Sequence, residues 1–333
     1  ADGGFVVTWQ SYNQDGDSYG IYGQRYDVAG GPIAGEFLIN THTDGEQSEV
    51  SIAELNDGGF VVTWQSRNQD GSDFGIYGQR YDVAGSPIAN EFLVNTQVDA
   101  GQSKPSVASL SDGGFIVTWQ SMNQDGDYYG VYGQRFDVTG NAVDSEFLVN
   151  SYVSSEQSGA RVTGLDDGLI VVWQSYGQDE GGYGYSVHAK QYSISTPAML
   201  QVNEGSLVQS LSSEYYEVQT GDTWQSIAGA LYGESAAGPT LQAAMGDPSL
   251  TTGAHLVMPA TLSYQPTTTN TTEVLVNSTT RSNQGEPATS RLSDGGYVTV
   301  WASYDQDGSD HGVYGQRFDA QGLAQGGEFQ VNQ

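Results

Sequence analysis

The sequence predicts an all-β fold, a β-propeller-like array of five four-stranded blades with a small inserted β-α-α-β domain. Three observations predict it: tryptophans recur at a fixed period, four strand-length segments recur in the same order around each, and the pattern turns helical in one place. Trp9, Trp64, Trp119 and Trp173 are separated by 55, 55 and 54 residues. Trp301 follows 128 residues later, which leaves an insertion of about 73 residues that contains Trp224.

The third copy shows the order of elements. Pro105–Leu110 alternates polar and apolar residues. Asp112-Gly113-Gly114 supplies a turn, and Phe115–Ser121 forms the apolar run that carries the Trp. The polar loop Asn123–Asp127 leads to Gly130–Asp137, and Glu146–Asn150 closes the copy. Four short antiparallel strands per repeat of this length suit a propeller blade. A lone blade cannot bury both faces, so neighbours must stack, and the repeated Trp, Phe and Leu positions become the core between them. A parallel solenoid or a row of sandwiches is the alternative arrangement. Five copies have the second to fourth segments and four have the first. The chain starts inside a repeat, which reads as a segment cut from a longer one. The incomplete first copy offers an unpaired strand edge for ring closure or self-association.

Arg25, Arg80, Arg135 and Arg317 recur at one phase, with Lys190 assigned to it in the fourth copy. Asp27, Asp82, Asp137 and Asp319 lie two residues on, with Ser193 in the fourth copy. Residues two apart share a strand face, so a structural Arg–Asp pair in each blade is expected. The Gly of each Tyr-Gly-Gln-Arg is expected to let a neighbouring blade's backbone approach.

Composition narrows the partners. The 333 residues carry 40 acidic side chains against 10 Lys and Arg, a formal charge of −30. Such a surface repels nucleic acid and anionic lipid and attracts cations. No apolar run is long enough for membrane insertion, and there is no Cys for disulfides, thiolate metal sites or Cys catalysis.

In the insertion, Trp224, Ile227, Ala228 and Leu231 fall on one helical face. Asp222 and Thr223 suit its N-cap and Gly233 its end. A second helix fits Thr240–Met245, and a strand fits His255–Met258 before Pro259. The fourth segment of copy four matches either Leu200–Asn203 or Glu273–Asn277. The expected domains are blades 1–4 over 1–210, the insertion over 215–262, and the end of blade 4 with blade 5 over 263–333.

Tyr216-x-Val218-x-x-Gly221-Asp222-Thr223-Trp224-x-x-Ile227-Ala228, then Leu231-Tyr232-Gly233, then Gly253-x-x-Leu256-Val257-x-Pro259 resembles a LysM domain. LysM domains bind N-acetylglucosamine polymers, peptidoglycan or chitin. The resemblance implies a glycan groove lined by Gly221, Asp222 and Thr223 with Asp247, Pro248, Ser249 and Leu250. Met245 stands where that family commonly has Asn. The repeats, with Asp-Gly-Gly-Phe-Val-Val-Thr-Trp and Gly-Ile-Tyr-Gly-Gln-Arg-Tyr-Asp, resemble those of large secreted bacterial proteins of the RTX-adhesin and haemolysin-type calcium-binding kind. That resemblance implies calcium, adhesion and an extracellular or cell-surface location in a bacterium.

The loop after each Trp strand is the metal candidate, with calcium as the cofactor. Its acids are Asp15 and Asp17, Asp70 and Asp73, Asp125 and Asp127, and Asp305, Asp307 and Asp310. Calcium takes six to eight oxygens, and Gly between close acids allows several to fold round one ion. Asn13, Asn68 and Asn123 would add one each. The bland alternative is a solvated turn held by side-chain hydrogen bonds to its own backbone.

No nucleophile elbow, phosphate loop or dinucleotide fingerprint is present, and catalysis usually breaks repeat symmetry. The expectation is therefore a non-enzymatic, extracellular structural or adhesive repeat protein, calcium-stabilised, that binds cell-wall or surface glycan through the insertion. A multivalent propeller lectin, with Tyr12, Tyr19, Tyr128 and Tyr129 as stacking rings, is the alternative, followed by a polysaccharide-degrading enzyme.

Overall fold

A computed structural model describes residues 3–179, 184–194, 198–201, 208–209, 214–233, 237–246, 248–264, 269–280, 282–308 and 310–332. The chain forms two compact units, one of residues 1–192 with 270–333 and one of residues 193–269. Among the described residues the protein is all-β apart from two short helices in the second unit.

The first unit holds five antiparallel sheets in the predicted order. Blade 2 is Gln47–Glu54, Phe60–Arg67, Phe74–Tyr81 and Pro87–Leu93, each strand paired with the next. Blade 3 is Gln102–Ser109, Phe115–Met122, Tyr129–Phe136 and Ala142–Leu148. Blade 5 is Gln284–Arg291, Tyr297–Tyr304, His311–Phe318 and Ala324–Gln330. Blade 1 has three strands, Phe5–Tyr12, Tyr19–Tyr26 and Pro32–Leu38. In blade 4, Gln157–Leu165, Gly168–Tyr176 and Tyr185–Ser193 are followed by Val274–Leu275, which pairs with the third strand. The Glu273–Asn277 alternative is therefore the blade's outer strand, and Ala198–Gln201 pairs with Thr261–Tyr264 in the second unit.

In blades 1, 2, 3 and 5 the Trp faces the Tyr of its neighbouring strand, as Trp64 does Tyr77 and Trp119 does Tyr132, and in blade 4 Trp173 stacks on His188. A cross-strand aromatic pair of this kind stabilises the sheet beyond its buried area. The front of a blade, which carries the Trp, packs on the back of the blade before it. Phe60, Val62, Trp64, Tyr77 and Tyr81 of blade 2 thus meet Ile21 and Ile39 of blade 1. The same positions, Phe115, Val117, Trp119, Tyr132 and Phe136, meet Leu55, Val61, Ile76 and Val94 at the next junction. Tyr297, Trp301, Tyr314 and Phe318 of blade 5 meet Leu165, Ile170, Val187 and Val276 of blade 4. Burying a side chain of this size is worth roughly 1.5–3 kcal/mol, so these junctions hold the stack together.

Two expectations are corrected. The Gly of Tyr-Gly-Gln-Arg serves its own blade: a Cβ on Gly78 would lie 2.9 Å from the ring of Phe92, its partner on the outer strand. The Arg residues pair with the Asp of the Asp-Gly-Gly turn, as Arg80–Asp57, Arg135–Asp112 and Arg317–Asp294. Asp27, Asp137 and Asp319 instead accept backbone N–H groups two and four residues on. Lys190 also moves by one position. The strand register puts Gln191 at the Arg position, and its amide donates to the Ala320 carbonyl of blade 5 as Arg25 donates to Val83 and Ala84 of blade 2.

In the second unit, Glu214–Glu217 pairs with His255–Leu256, and between them lie α1 (Trp224–Tyr232) and α2 (Gly238–Ala244). Thr223 and Ser226 form a reciprocal cap at the start of α1, and Gly233 ends it in the left-handed region at φ 74°. Trp224, Ile227, Ala228 and Leu231 pack on Leu241 and Met258. Gly238 lets the helices approach, since a Cβ there would lie 2.7 Å from the Gln225 nitrogen. Met245 ends α2 and packs against this core.

Candidate functional site

The second unit contains a groove of about 420 Å³ lined by Thr223, Trp224, Gln225, Gln242, Pro248, Ser249 and Leu250. Capping fixes one wall. Thr223 and Gln225 flank Trp224 at the first turn of α1, and the buried Trp224 anchors that turn in the core. Gln242 of α2 and the loop Pro248–Leu250 form the other wall. The groove thus combines amide and hydroxyl groups with a proline and a leucine, a mixture suited to a neutral polyhydroxylated ligand.

Of the residues expected to line it, Thr223, Pro248, Ser249 and Leu250 do so. Asp222 serves the turn: its carboxylate accepts from Gln219 N at 2.7 Å, the Tyr216 hydroxyl at 2.9 Å and the Ser226 hydroxyl at 3.1 Å. Gly221 sits at φ 90°, which makes that turn. Asp247 lies outside the described residues. Gln225 and Gln242 went unnoticed in the sequence, although their helical spacing puts both at the ends of α1 and α2 that face this loop.

The Asp-Gly loops are built as hydrogen-bonded turns. Asp17 accepts from Gly45 N at 2.9 Å, and Asp127 accepts from Ser155 N at 2.8 Å, so both tie their blade to the next. The Gly45 and Ser18 N–H groups hold the Asp17 carboxyl below its ordinary value. Asp70 accepts from Ser72 N and Asp125 from Asp127 N, while burial pushes the Asp125 carboxyl up. Asp73 lies 4.0 Å from Arg67, Asp310 lies 3.9 Å from His311, and Asp307 accepts from Gln330. Asn13, Asn68, Asn123 and Asp305 all have φ near +60°, between 58° and 61°, where Asn and Asp are the favoured non-glycine residues. Loop closure explains their recurrence. No group of three or more His, Cys, Asp or Glu gathers among the described residues. Calcium there rests on the composition of the loops.

Two of the four tyrosines proposed as stacking rings pack on each other. Tyr12 and Tyr19 meet edge to face at 5.1 Å, although Tyr12 keeps most of its surface exposed, as does Tyr128.

Blade 4 departs from the others around its outer strand. His188 stands where blades 1–3 have Tyr, and Ser186 where they have Gly. Ser186 Oγ lies 3.0 Å from His188 Nε2, and His188 Nδ1 lies 3.3 Å from Glu273 Oε1. Glu273 also accepts from Gln178 and from Ser151 N. Burial raises the Glu273 carboxyl, but these hydrogen bonds outweigh it and hold the group below its ordinary value. The chain of contacts has the order of a Ser–His–acid relay. The Ser186 hydroxyl is fully buried, so the relay orders the strand and presents no open nucleophile. His188, Lys190 and Glu273 line a shallow pocket above it.

Where the inner strands converge, a hollow is lined by Asn56, Ser109, Thr163, Ser290 and Arg291 among others, with no Asp or Glu in its lining. Arg291 there pairs with Asp166.

No protein-family model and no curated protein matches the sequence. Solved structures do resemble it. An endo-arabinase from Bacteroides thetaiotaomicron is 11% identical at a TM-score of 0.42, over 92% of each chain. An α-L-arabinofuranosidase from Lactobacillus brevis is 9% identical at 0.42, over 95% of this chain and 92% of the other. An α-L-arabinanase from Cellvibrio cellulosa, solved with arabinohexaose, is 10% identical at 0.38, over 97% and 94%. These findings overturn the expectation of a non-enzymatic adhesive repeat protein. It took repeat regularity as an argument against catalysis, but a fold does not decide function, so regularity carries no such weight. At these identities and TM-scores the likeness assigns no activity to this chain.

Proposed function

We propose that the chain binds carbohydrate, specifically chains of N-acetylglucosamine, through the groove of the second unit. The observation that carries the reading is the groove itself. The start of α1 and the loop after α2, the two stretches that the LysM resemblance names, face each other across it, with Gln242 between them. The ligand class rests on that resemblance. The chemistry agrees with it: amide and hydroxyl side chains satisfy sugar hydroxyl and N-acetyl groups, and the apolar surfaces of Pro248 and Leu250 take up the faces of the ring. The groove lining carries no charge, so the −30 charge of the chain argues against anionic glycans and leaves neutral ones.

Calorimetric titration of the whole chain with chitin tetramer to hexamer tests this. Binding is expected, strengthening with oligomer length until the groove is filled. The double variant Gln225→Ala/Ser249→Ala, both at exposed positions, is expected to weaken it about thirtyfold, since each of the two lost hydrogen bonds is worth roughly 1 kcal/mol. Absence of heat and of competition with every N-acetylglucosamine oligomer, for a chain with an unchanged melting curve, rejects the reading.

A further inference from the structure

Blade 4 carries a buried lysine where the other four blades have glutamine. On the strand Tyr185–Ser193, Lys190 takes the position of Gln134 in blade 3. In the other blades that glutamine donates to carbonyls of its own outer strand, as Gln134 does to Val143 and Asp144. The outer strand of blade 4 is cut to Val274–Leu275, where blade 3 has the seven residues Ala142–Leu148. A pocket of about 520 Å³ opens there, lined by Lys190 together with Ser151, Gln178, His188, Thr272 and Glu273 among others.

Lys190 is only 9% exposed. Its Nζ donates to the Val149 carbonyl of blade 3 at 3.0 Å and lies 5.7 Å from the centre of the Tyr192 ring. Among the described residues no carboxylate forms an ion pair with it. Glu273, the acid of the pocket, has both oxygens engaged, Oε1 by Gln178 and His188 and Oε2 by Ser151 N. Burial outweighs the pull of Glu273 and holds the Lys190 ammonium below its ordinary value. A buried amine without an ion pair sheds its proton more readily, and the free amine is a nucleophile. One N–H of that amine stays on Val149, and the lone pair is left for the pocket.

We propose that Lys190 captures a small, neutral, hydroxylated aldehyde, such as an open-chain sugar presents, as an imine. The amine nitrogen adds to the carbonyl carbon. Its two hydrogens leave with the carbonyl oxygen as water, and a C=N bond replaces C=O, so no oxidant or reductant takes part. The walls of the pocket set the ligand class. Ser151, Thr272 and Gln178 supply hydroxyl and amide groups for a hydroxylated compound. Gln178 Oε1 is a buried acceptor with no partner among the described residues, which suits a hydroxyl donor. Glu273 and the overall charge of −30 disfavour an anionic ligand.

The sequence makes the test internally controlled, because its only lysines are Lys190 and the exposed Lys104. The whole chain is incubated at neutral pH with glyceraldehyde and cyanoborohydride, which reduces an imine to a stable amine, and its peptides are mapped by mass spectrometry. Lys190 is expected to be labelled at least about tenfold faster than Lys104, because a carbonyl held beside the amine reacts as in an intramolecular step. Its rate is expected to saturate with glyceraldehyde concentration, while that of Lys104 rises linearly. Thr272→Tyr, at an exposed position lining the pocket, is expected to slow labelling of Lys190 and to leave Lys104 unchanged. A Lys190 that stays unlabelled in the folded chain is a brace between blades, and that result overturns the proposal. So does labelling at the Lys104 rate or without saturation, and so does a Thr272→Tyr chain that labels Lys190 as fast as the parent.

Discussion

The side-chain carbonyl of Asn277 accepts the backbone N–H of Val187 at 2.6 Å, across 90 residues of sequence. In blades 1, 2, 3 and 5 the same bond spans 19 residues, from Ile21 to Asn40, Ile76 to Asn95, Val131 to Asn150 and Val313 to Asn332. The second unit is thus threaded through a turn whose two ends are clamped as in an uninterrupted blade. Asn277 also donates to the Thr279 carbonyl at 2.7 Å and is buried. Asn277→Ala leaves a buried N–H without its partner, which costs about 1–3 kcal/mol. Its melting midpoint is expected to fall by several degrees in calorimetry.

The same clamp predicts that the second unit is dispensable for the first. Blade 3 joins its third strand to its outer strand with the short turn Asp137–Asn141. Replacing residues 193–269 with the segment Asp137–Ala142 restores that connection in blade 4. Loop-closure entropy changes only slowly with length. The shortened chain is expected to keep its near-ultraviolet circular dichroism and to melt within a few degrees of the parent, while losing the oligosaccharide binding proposed above.

One Arg–Asp pair occurs in two environments, which separates burial from pairing. Arg135 and Asp112 have side chains only 10% and 6% exposed, whereas Arg317 and Asp294 are 53% and 51% exposed. Removing one partner of a buried pair strands a charge and costs about 3–5 kcal/mol. An exposed pair is worth about 0–1 kcal/mol. Urea titration of Arg135→Met is therefore expected to show a large loss of stability, and that of Arg317→Met almost none.

The repeat was legible because a Trp on the second strand packs on an aromatic ring of the third in every blade, Tyr in four and His188 in blade 4, so the Trp spacing survives in the sequence. The helical unit was legible because its buried positions recur at helical period from Trp224 to Leu231. The partner of each Arg was not legible. Residues two apart share a strand face, but Asp27 and its counterparts lie beyond the strand end, where the chain turns and they cap it. The phase of Lys190 slipped because blade 4 replaces Gly-Gln-Arg with Ala-Lys-Gln, so following the charge misaligns the strand by one. The hydrogen-bond partners of the loop acids were not legible either, because composition shows the number of acids and not their partners. Gly45 N and Ser155 N, which bind Asp17 and Asp127, are 28 residues away in sequence.

Glu273 gives blade 4 a pH dependence. Its folded carboxyl sits below the ordinary value of 4.5, because hydrogen bonds from His188, Gln178 and Ser151 N outweigh burial. A depressed carboxyl contributes stability above its unfolded value and loses it as pH falls through the folded one. The wild-type chain is expected to lose stability progressively as pH falls below about 4.5. Glu273→Gln is expected to be less stable at neutral pH and to show a flatter acid limb, read as melting midpoint against pH. Parallel curves for the two proteins would show that Glu273 is not the group responsible.

Chelation separates the two readings of the Asp-Gly loops. If calcium held them, removing it would strip the shared ion and lower the melting midpoint, and Asp127→Asn would do the same by weakening a ligand. The hydrogen bonds argue for another outcome. Asp127 spends one oxygen on Tyr128 N and the other on Ser155 N, and Asp17 is bound likewise by Ser18 N and Gly45 N. A carboxylate engaged in this way is a latch between blades. The midpoint is expected to stay unchanged in EDTA. Asp127→Ala is expected to cost about 1–2 kcal/mol through the lost charge-assisted bond to Ser155 N. Asp127→Asn, which keeps one acceptor, is expected to cost less. A midpoint that drops in EDTA and recovers with added calcium would instead show that these loops close on an ion.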